Sequence, residues 1–270
     1  MDKEQIFSKA STTYYNASRF FPAEIREDVY TLYAFVRTAD DFVDAIPAAK
    51  SGFMNYKKEA LAALSKGKSD NPIINDFVEL YNRKKFKKEW VESFLAAMEA
   101  DLTINTYATM KDLEGYMYGS AEVIGLFMSA IMELPVKAYP AARMQGRAMQ
   151  LINFIRDIRE DQELDRVYLP QADMKKFKIS RVRPITEEDE LKFAELVRFE
   201  IERYYEIQAK ATAGYEYIPR RYRISVKTAA DIYTWTAKQI YKNPMIVFEK
   251  KVKPHKLQVI AQYLINYLTV

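Results

Sequence analysis

The sequence predicts an all-α protein, and three observations carry that prediction. Apolar residues recur near the helical period of 3.6 in one segment after another, and no region is rich in strand-forming runs. Only 7 Gly and 10 Pro punctuate 270 residues, and the prolines sit at or near segment ends, which suits long helices with short connections. Hydrophobic residues make up 49% of the chain, enough to give those helices a shared core in one domain covering residues 1–270.

A first helix is expected over Lys3–Ser11, followed by the run Ser11-Thr12-Thr13-Tyr14-Tyr15. Pro22 suits a helix start and Glu24 and Glu27 complement its dipole; this helix should reach Asp44 and stop before Pro47. Ile25, Val29, Leu32 and Val36 form its core stripe, while Tyr33, Arg37, Asp40 and Asp44 make a second row. Further helices are expected over Gly52–Lys66, Pro72–Lys84, Lys88–Thr103 and Met110–Met132. Gly119 and Gly125 in the last of these mark a kink or a close backbone approach. The next helix is read as unbroken from Ala138 to Gln162. A small helix-and-loop segment leads to Pro184, and a cap at Thr186 opens a helix reaching Tyr217. Helices over Arg220–Tyr241 and Pro254–Leu268 complete the chain.

Composition removes whole classes of chemistry. Without cysteine there is no disulfide framework, thiolate-bound zinc or thiol nucleophile, and the chain is compatible with a reducing cytoplasm. A single histidine, His255, disposes of histidine metal sites, including di-iron sites built on Glu-x-x-His pairs. The net charge of +4 is mild, and its densest run, Lys84 to Lys88, reads as a solvated face, so no nucleic-acid partner is expected. The first residues lack the basic and apolar regions of a signal peptide. The longest apolar run, Val123 to Met132, falls short of the roughly 20 residues a membrane span requires. A cytoplasmic protein, peripheral to a membrane at most, is the expectation.

The chemistry concentrates on two acidic helices. Asp40 and Asp44 stand four residues apart on one, and Asn153, Asp157 and Asp161 recur at i, i+4, i+8 on the other, with Arg37 and Arg156 in the preceding turns. Any one Asp-x-x-x-Asp is more often a solvated face. Two of them, each on a helix with a strong apolar stripe, are much less expected by chance. Facing each other, such helices would repel unless cations lay between them. Mg²⁺, which takes oxygen ligands and commonly bridges carboxylates to phosphates, is the natural occupant, carrying a diphosphate. Metal and arginines would then stabilise a departing diphosphate while a dry aromatic pocket sheltered a carbocation. Arg37, Arg156 and Arg166 are the candidate arginines, with Tyr14, Tyr33, Tyr118, Tyr168 and Tyr233 as candidate aromatics.

The segments Arg37-Thr-Ala-Asp-Asp-Phe-Val-Asp44 and Gln150-Leu-Ile-Asn-Phe-Ile-Arg-Asp-Ile-Arg-Glu-Asp161, the latter continuing through Arg166-Val-Tyr168-Leu-Pro170, resemble the two signatures of the squalene/phytoene synthase family. The resemblance runs from about Ser11 to Lys253. It implies a helical isoprenoid synthase bundle with a central cavity, and head-to-head condensation of two prenyl diphosphates through a cyclopropylcarbinyl diphosphate. By position, Asp40, Asp44, Asn153, Asp157 and Asp161 match the family's metal ligands. Tyr33, Arg37, Gln150, Arg156 and Tyr233 match substrate contacts, and Arg166 and Tyr168 match the tail of the second motif. Ser11, Thr12 and Thr13 match a segment that closes over diphosphate, and Tyr118 and Gly125 fit a helix kinked beside the cavity.

There are departures. Glu122 stands where a glycine is usual, and Met245-Ile246-Val247-Phe248 lacks the arginine usual just before its Val/aromatic pair, with Lys250, Lys251 and Lys253 following. The resemblance implies Mg²⁺, with Mn²⁺ as an alternative, and NADPH only if the product is squalene. Ser18, small where a bulky aromatic could shorten the tail pocket, favours two geranylgeranyl diphosphates and phytoene over a C30 product from farnesyl diphosphate. A hydrocarbon product makes peripheral membrane contact physically expected, with no particular surface helix marked for it. Two rivals remain: a head-to-tail prenyltransferase or terpene synthase, because Asp40 to Asp44 reads DDxxD, and a non-catalytic helical binding protein on the same scaffold.

Overall fold

The computed structural model describes residues 18–270 and places them in helices, with no strand among them beyond an isolated bridge between Thr106 and Val167. In chain order the helices are α1 (Ala23–Asp44), α2 (Lys50–Lys66), α3 (Pro72–Lys84), α4 (Lys88–Ala100), α5 (Met110–Met117) and α6 (Val123–Ile131). They continue as α7 (Tyr139–Arg156), α8 (Ile158–Glu163), α9 (Gln171–Lys176), α10 (Glu187–Thr212), α11 (Arg220–Lys242), α12 (Ile246–Glu249) and α13 (Lys256–Thr269). The expected helix over Lys3–Ser11 lies outside the described residues.

Local chemistry explains most boundaries. Asn71 caps α3 by accepting from the amides of Ile73 and Ile74, Thr109 and Asp112 form a reciprocal capping box on α5, and Thr186 accepts from the Asp189 amide to open α10. Three expectations need correction. The helix read as continuous from Ala138 to Gln162 breaks at Asp157, whose φ of −99° and ψ of 14° end α7 and start α8. No glycine or proline marks that break. The helix read to Tyr217 ends at Thr212, before a short 3₁₀ turn at Tyr215–Tyr217, and α12 was not foreseen as a helix.

Core packing centres on α1, α4, α6 and α7. Ile25, Val29 and Leu32 are buried as the stripe requires, but Phe35 and Ala39 continue it, while Val36 turns to the cavity described below. Phe35 stacks on Phe77 with centroids 3.8 Å apart, and Phe127 meets Phe77 edge-on at 6.1 Å. Helix α7 runs through the middle, packed against α10, α6 and α11. Leu151, Ile152 and Ile155 are buried on one side, and Gln150, Asn153 and Asp157 line the cavity on the other.

The kink expected between α5 and α6 is real. Tyr118–Glu122 forms a π-helical turn, a wider coil that shifts the helix axis. The glycines allow contact at backbone distance: a Cβ on Gly125 would lie 2.1 Å from the Ala142 carbonyl oxygen of α7, and one on Gly119 would lie 2.3 Å from that of Ser93 in α4. Glu122, on the same turn, is fully buried and accepts from Arg143 Nε at 2.8 Å and Arg147 Nε at 2.6 Å. A carboxylate in the place of glycine is thus neutralised by two arginines of α7. Gly125→Ala is expected to cost about 1–3 kcal/mol as α6 is pushed off α7. Gly115→Ala, with nothing within 4 Å of its Cβ, should be neutral or slightly stabilising. Denaturant melts of the two variants check this.

Candidate active site

A cavity of about 640 Å³ lies among α1, α4, α6, α7 and α11. Arg37, Asp40, Asp44, Asn153, Arg156, Asp157, Asp161 and Arg166 line its polar end. Much of its remaining wall is apolar, with Met128, Met132, Met149, Ile218 and Val226 among the side chains that form it. Helix geometry brings the acids together: α1 presents Arg37, Asp40 and Asp44 in successive turns, and the break at Asp157 separates Asn153 on α7 from Asp161 on α8.

Cations hold the carboxylates in place. Arg37 pairs with Asp40 and, at 2.6 Å, with Asp41. Arg166 Nη1 donates to Asp44 at 2.7 Å while its Nη2 donates to the Val43 carbonyl at 2.8 Å, so the tail of the second motif ties directly to the end of the first. Arg156 forks onto Asp157 with bonds of 2.7 and 2.6 Å, and Lys251 Nζ reaches the same carboxylate at 2.9 Å.

This arrangement sets the charges. Burial, and then repulsion from Asp44, push Asp40 well above the usual carboxylate range despite Arg37. Burial, followed by the charge of Asp157, pushes Asp161 up to about 8. Burial would also raise Asp157, but its bonds and charge pairing with Arg156, aided by Lys251, outweigh this and hold it below the ordinary value. Partial burial together with Lys251 and Arg156 pushes the Lys253 ammonium down, so three cations crowd one corner.

Asp40, Asp44, Asp157, Asp161, Arg37 and Arg156 all line the one cavity, as do Asn153, Tyr33, Gln150, Arg166, Tyr168 and Tyr233. Tyr118 does not: its ring lies under the Arg143 guanidinium, 5.0 Å from centroid to carbon. Ser11, Thr12, Thr13 and Tyr14 lie outside the described residues. Glu160, which looks like a flanking residue from its sequence position, is part of the lining; Arg159 is not.

Two features escape sequence reasoning. Asp101, one residue past α4, lines the cavity and accepts from Tyr116 Oη at 2.7 Å and Tyr168 Oη at 3.1 Å; burial raises it to about 6. A lone aspartate at a helix end carries no pattern that would single it out. Lys251 and Lys253 reach the cavity from the segment that lacks the usual arginine, and that departure was their only signal.

The donor set suits a hard divalent cation. Among the described residues no three acidic groups converge at metal-binding distance, since the aspartates are turned to Arg37, Arg156, Arg166 and Lys251. The available donors are nevertheless oxygens, Asn153 Oδ1 is buried without a hydrogen-bond partner, and burial with neighbouring carboxylates raises Asp40 and Asp161, a combination a divalent cation would relieve.

Solved structures that this fold resembles include squalene and dehydrosqualene synthases. A dehydrosqualene synthase in complex with ligand superposes with a TM-score of 0.81 at 24% identity, over 99% of this chain and 96% of that one. A squalene synthase from Alicyclobacillus acidocaldarius gives 0.77 at 22% identity, over 89% and 92%. The fold is therefore the all-α isoprenoid synthase fold. Residues 7–258 match the family model described as squalene/phytoene synthase. The phytoene synthase of Arthrospira platensis is 26% identical over 92% of this chain and 85% of its own, and the 15-cis-phytoene synthase of Paracoccus sp. is 27% identical over 93% and 85%. The chain belongs to the squalene/phytoene synthase family and is a prenyltransferase.

The raised carboxylates have a consequence for stability. Asp161 binds its proton more tightly folded, at about 8, than at the ordinary 3.8, so its contribution is complete below pH 3.8 and is lost as pH rises towards 8. In metal-free buffer Asp161→Asn should therefore be more stable than the parent at pH 8, by about 1–2 kcal/mol because water screens part of the effect. The gap should close towards pH 4. Thermal melts across pH 4–8 with a chelator measure it, and an equal gap at both ends would contradict the charge assignment.

Proposed function

We propose that this chain catalyses the head-to-head condensation of two prenyl diphosphates with Mg²⁺ (or Mn²⁺), using geranylgeranyl diphosphate and forming 15-cis-phytoene. The observation that carries the reading is one cavity with two arginine-backed acidic rows at one end and an apolar wall beyond. A polar head that sheds diphosphate and a long hydrocarbon tail fit those two ends. The choice of chain length is supported by buried Ser18 in the lining and by relatives named phytoene synthases.

Asp40, Asp44, Asn153, Asp157 and Asp161 would hold the metal, which when bound supplies Lewis-acid pull on the departing diphosphate. Arg156, with Lys251 and Lys253 beside it, receives that diphosphate, and Arg37 and Arg166 steady the opposite acidic row. Tyr33, Phe154, Tyr168 and Tyr233 line the cavity, where their rings would shelter the allylic cation while the second substrate's double bond attacks it. Closure of the cyclopropane ring releases one proton, and the cyclopropylcarbinyl diphosphate so formed ionises again in the same cavity, releasing the second diphosphate, then rearranges and loses a second proton. Burial raises the tyrosine hydroxyls of Tyr33, Tyr168 and Tyr233, so they stay protonated at neutral pH. They are poor bases, and the released diphosphate is the proton acceptor this arrangement favours. The product has no charge to keep it in water, so its release is expected at a membrane surface.

A C30 reading from farnesyl diphosphate has support of its own in the squalene and dehydrosqualene synthase folds, and a squalene product would call for NADPH. Incubation with each prenyl diphosphate and Mg²⁺, with and without NADPH, followed by identification of the hydrocarbon, decides between them. Faster consumption of farnesyl diphosphate would reject the C40 assignment. Asp157→Asn should lower turnover at least about a hundredfold with the helical circular dichroism of the folded protein retained. Wild-type yield from that variant would remove Asp157 from the proposed metal site.

A further inference from the structure

Helix α13 turns polar as well as apolar side chains inward, with Val259 and Asn266 both buried. On α13 the polar Gln262 and Asn266 point inward, and Asn266 is 1% exposed. The Asn266 amide donates to Thr228 Oγ1 at 3.2 Å and to Asp231 Oδ2 at 2.8 Å, and the Gln262 amide donates to the same carboxylate oxygen at 2.8 Å. These bonds to α11 fix the rotation of α13. Leu257, Ile260, Ala261, Leu264, Ile265 and Leu268 then form one outward stripe at helical spacing. Leu257, Leu264, Ile265 and Leu268 are 78%, 55%, 53% and 82% exposed. Rotating α13 to bury that stripe would break three hydrogen bonds to α11, so the apolar face is held outward.

Charge indicates the occupant. After Glu249 the chain carries no acidic residue up to Val270, and with Lys251 and Lys253 lining the cavity, Lys250 and Lys256 are the exposed lysines of this stretch that stand apart from it. Lys256 is exposed at the start of α13. At the other end Arg220 Nη2 donates to the Tyr267 carbonyl at 2.7 Å, with its guanidinium 5.3 Å from the Tyr267 ring. An aliphatic stripe with cations at both ends, and no acids on its helix, is complementary to anionic lipid. The helix also touches the cavity wall at one remove: Phe20 stacks on Tyr263 at 3.7 Å, and its neighbours Ser18 and Phe21 line the cavity.

We propose that the outer face of α13 docks this protein on an anionic bilayer, with the Ser18–Phe21 turn linking that face to the cavity. The proposal rests on the lipid-product reading for its purpose only, and its test needs no substrate. Full-length protein is sedimented with vesicles of phosphatidylglycerol and phosphatidylcholine, and with phosphatidylcholine alone. The parent should pellet with the anionic vesicles, several-fold less with neutral ones, and less again as salt rises. The triple variant Leu264→Ser, Ile265→Ser, Leu268→Ser should lose binding by about tenfold or more while keeping its circular dichroism and its turnover in detergent micelles.

Failure of the parent to pellet, equal binding to neutral vesicles, or undiminished binding by the variant would each overturn the proposal. So would a concentration-dependent dimer in light scattering that the variant loses, with no vesicle binding, which would give the face to a second copy. Product formation in detergent without vesicle binding removes this inference alone. Vesicle binding without product removes the proposed reaction alone.

Discussion

The constraint on which the site depends is the placing of several carboxylates at one end of a largely apolar cavity. Carboxylates in such surroundings repel one another and lose hydration, and the fold answers with arginines. Arg166 shows the economy of the solution. One guanidinium joins Asp44 of the first acidic row to the tail of the second motif and also takes the Val43 carbonyl at the C-terminal turn of α1. Two segments more than a hundred residues apart are thereby held in register by the charges that carry the proposed chemistry.

Compensation is incomplete, and that incompleteness is informative. Arg156 and Lys251 hold Asp157 below the ordinary carboxylate value, whereas burial and neighbouring carboxylates push Asp40 and Asp161 above it. A divalent cation would lower both groups and give the unpartnered Asn153 oxygen a partner. The crowding of Arg156, Lys251 and Lys253 is the opposite imbalance a few ångströms away, suited to an anion. Metal and diphosphate would each relieve the strain that the protein leaves on its own side.

Much of this was legible in the sequence because the site follows helical arithmetic. Spacing of four residues put Asp40 with Asp44 on a single helix, and the flanking stripes showed which faces were core. Legibility failed where position depends on tertiary contact. The break at Asp157 has no glycine or proline to mark it, Asp101 enters the cavity because Tyr116 and Tyr168 hold it there, and Lys251 arrives from a loop whose path depends on α12. Tyr118 shows the opposite error. It lies on the π turn, whose extra residue changes which side chains face inward, and Tyr116 lines the cavity instead.

The same physics bears on how strongly such a cavity could select chain length. Ala141 and Asp157 both line it and are sixteen residues apart by number, so the lining follows α7 for roughly 24 Å at 1.5 Å per residue. Along that path α7 contributes Ala141, Ala142 and Gly146, whose small size admits close backbone approach, while Met128, Met132 and Met149 supply walls that repack at little cost. A pocket of that kind discriminates by excluded volume, and each extra methylene changes the balance by only about 1–3 kcal/mol. The polar interruption is the cluster in which Tyr215 Oη donates to Gln145 Oε1 at 2.6 Å and Gln145 donates to Gln208 at 3.0 Å. An alkyl tail pressed against those groups must leave their bonds intact or strand buried amides. Discrimination between chain lengths is therefore expected to depend on where a tail ends relative to Gln145 and Tyr215, more than on the compliant methionine wall.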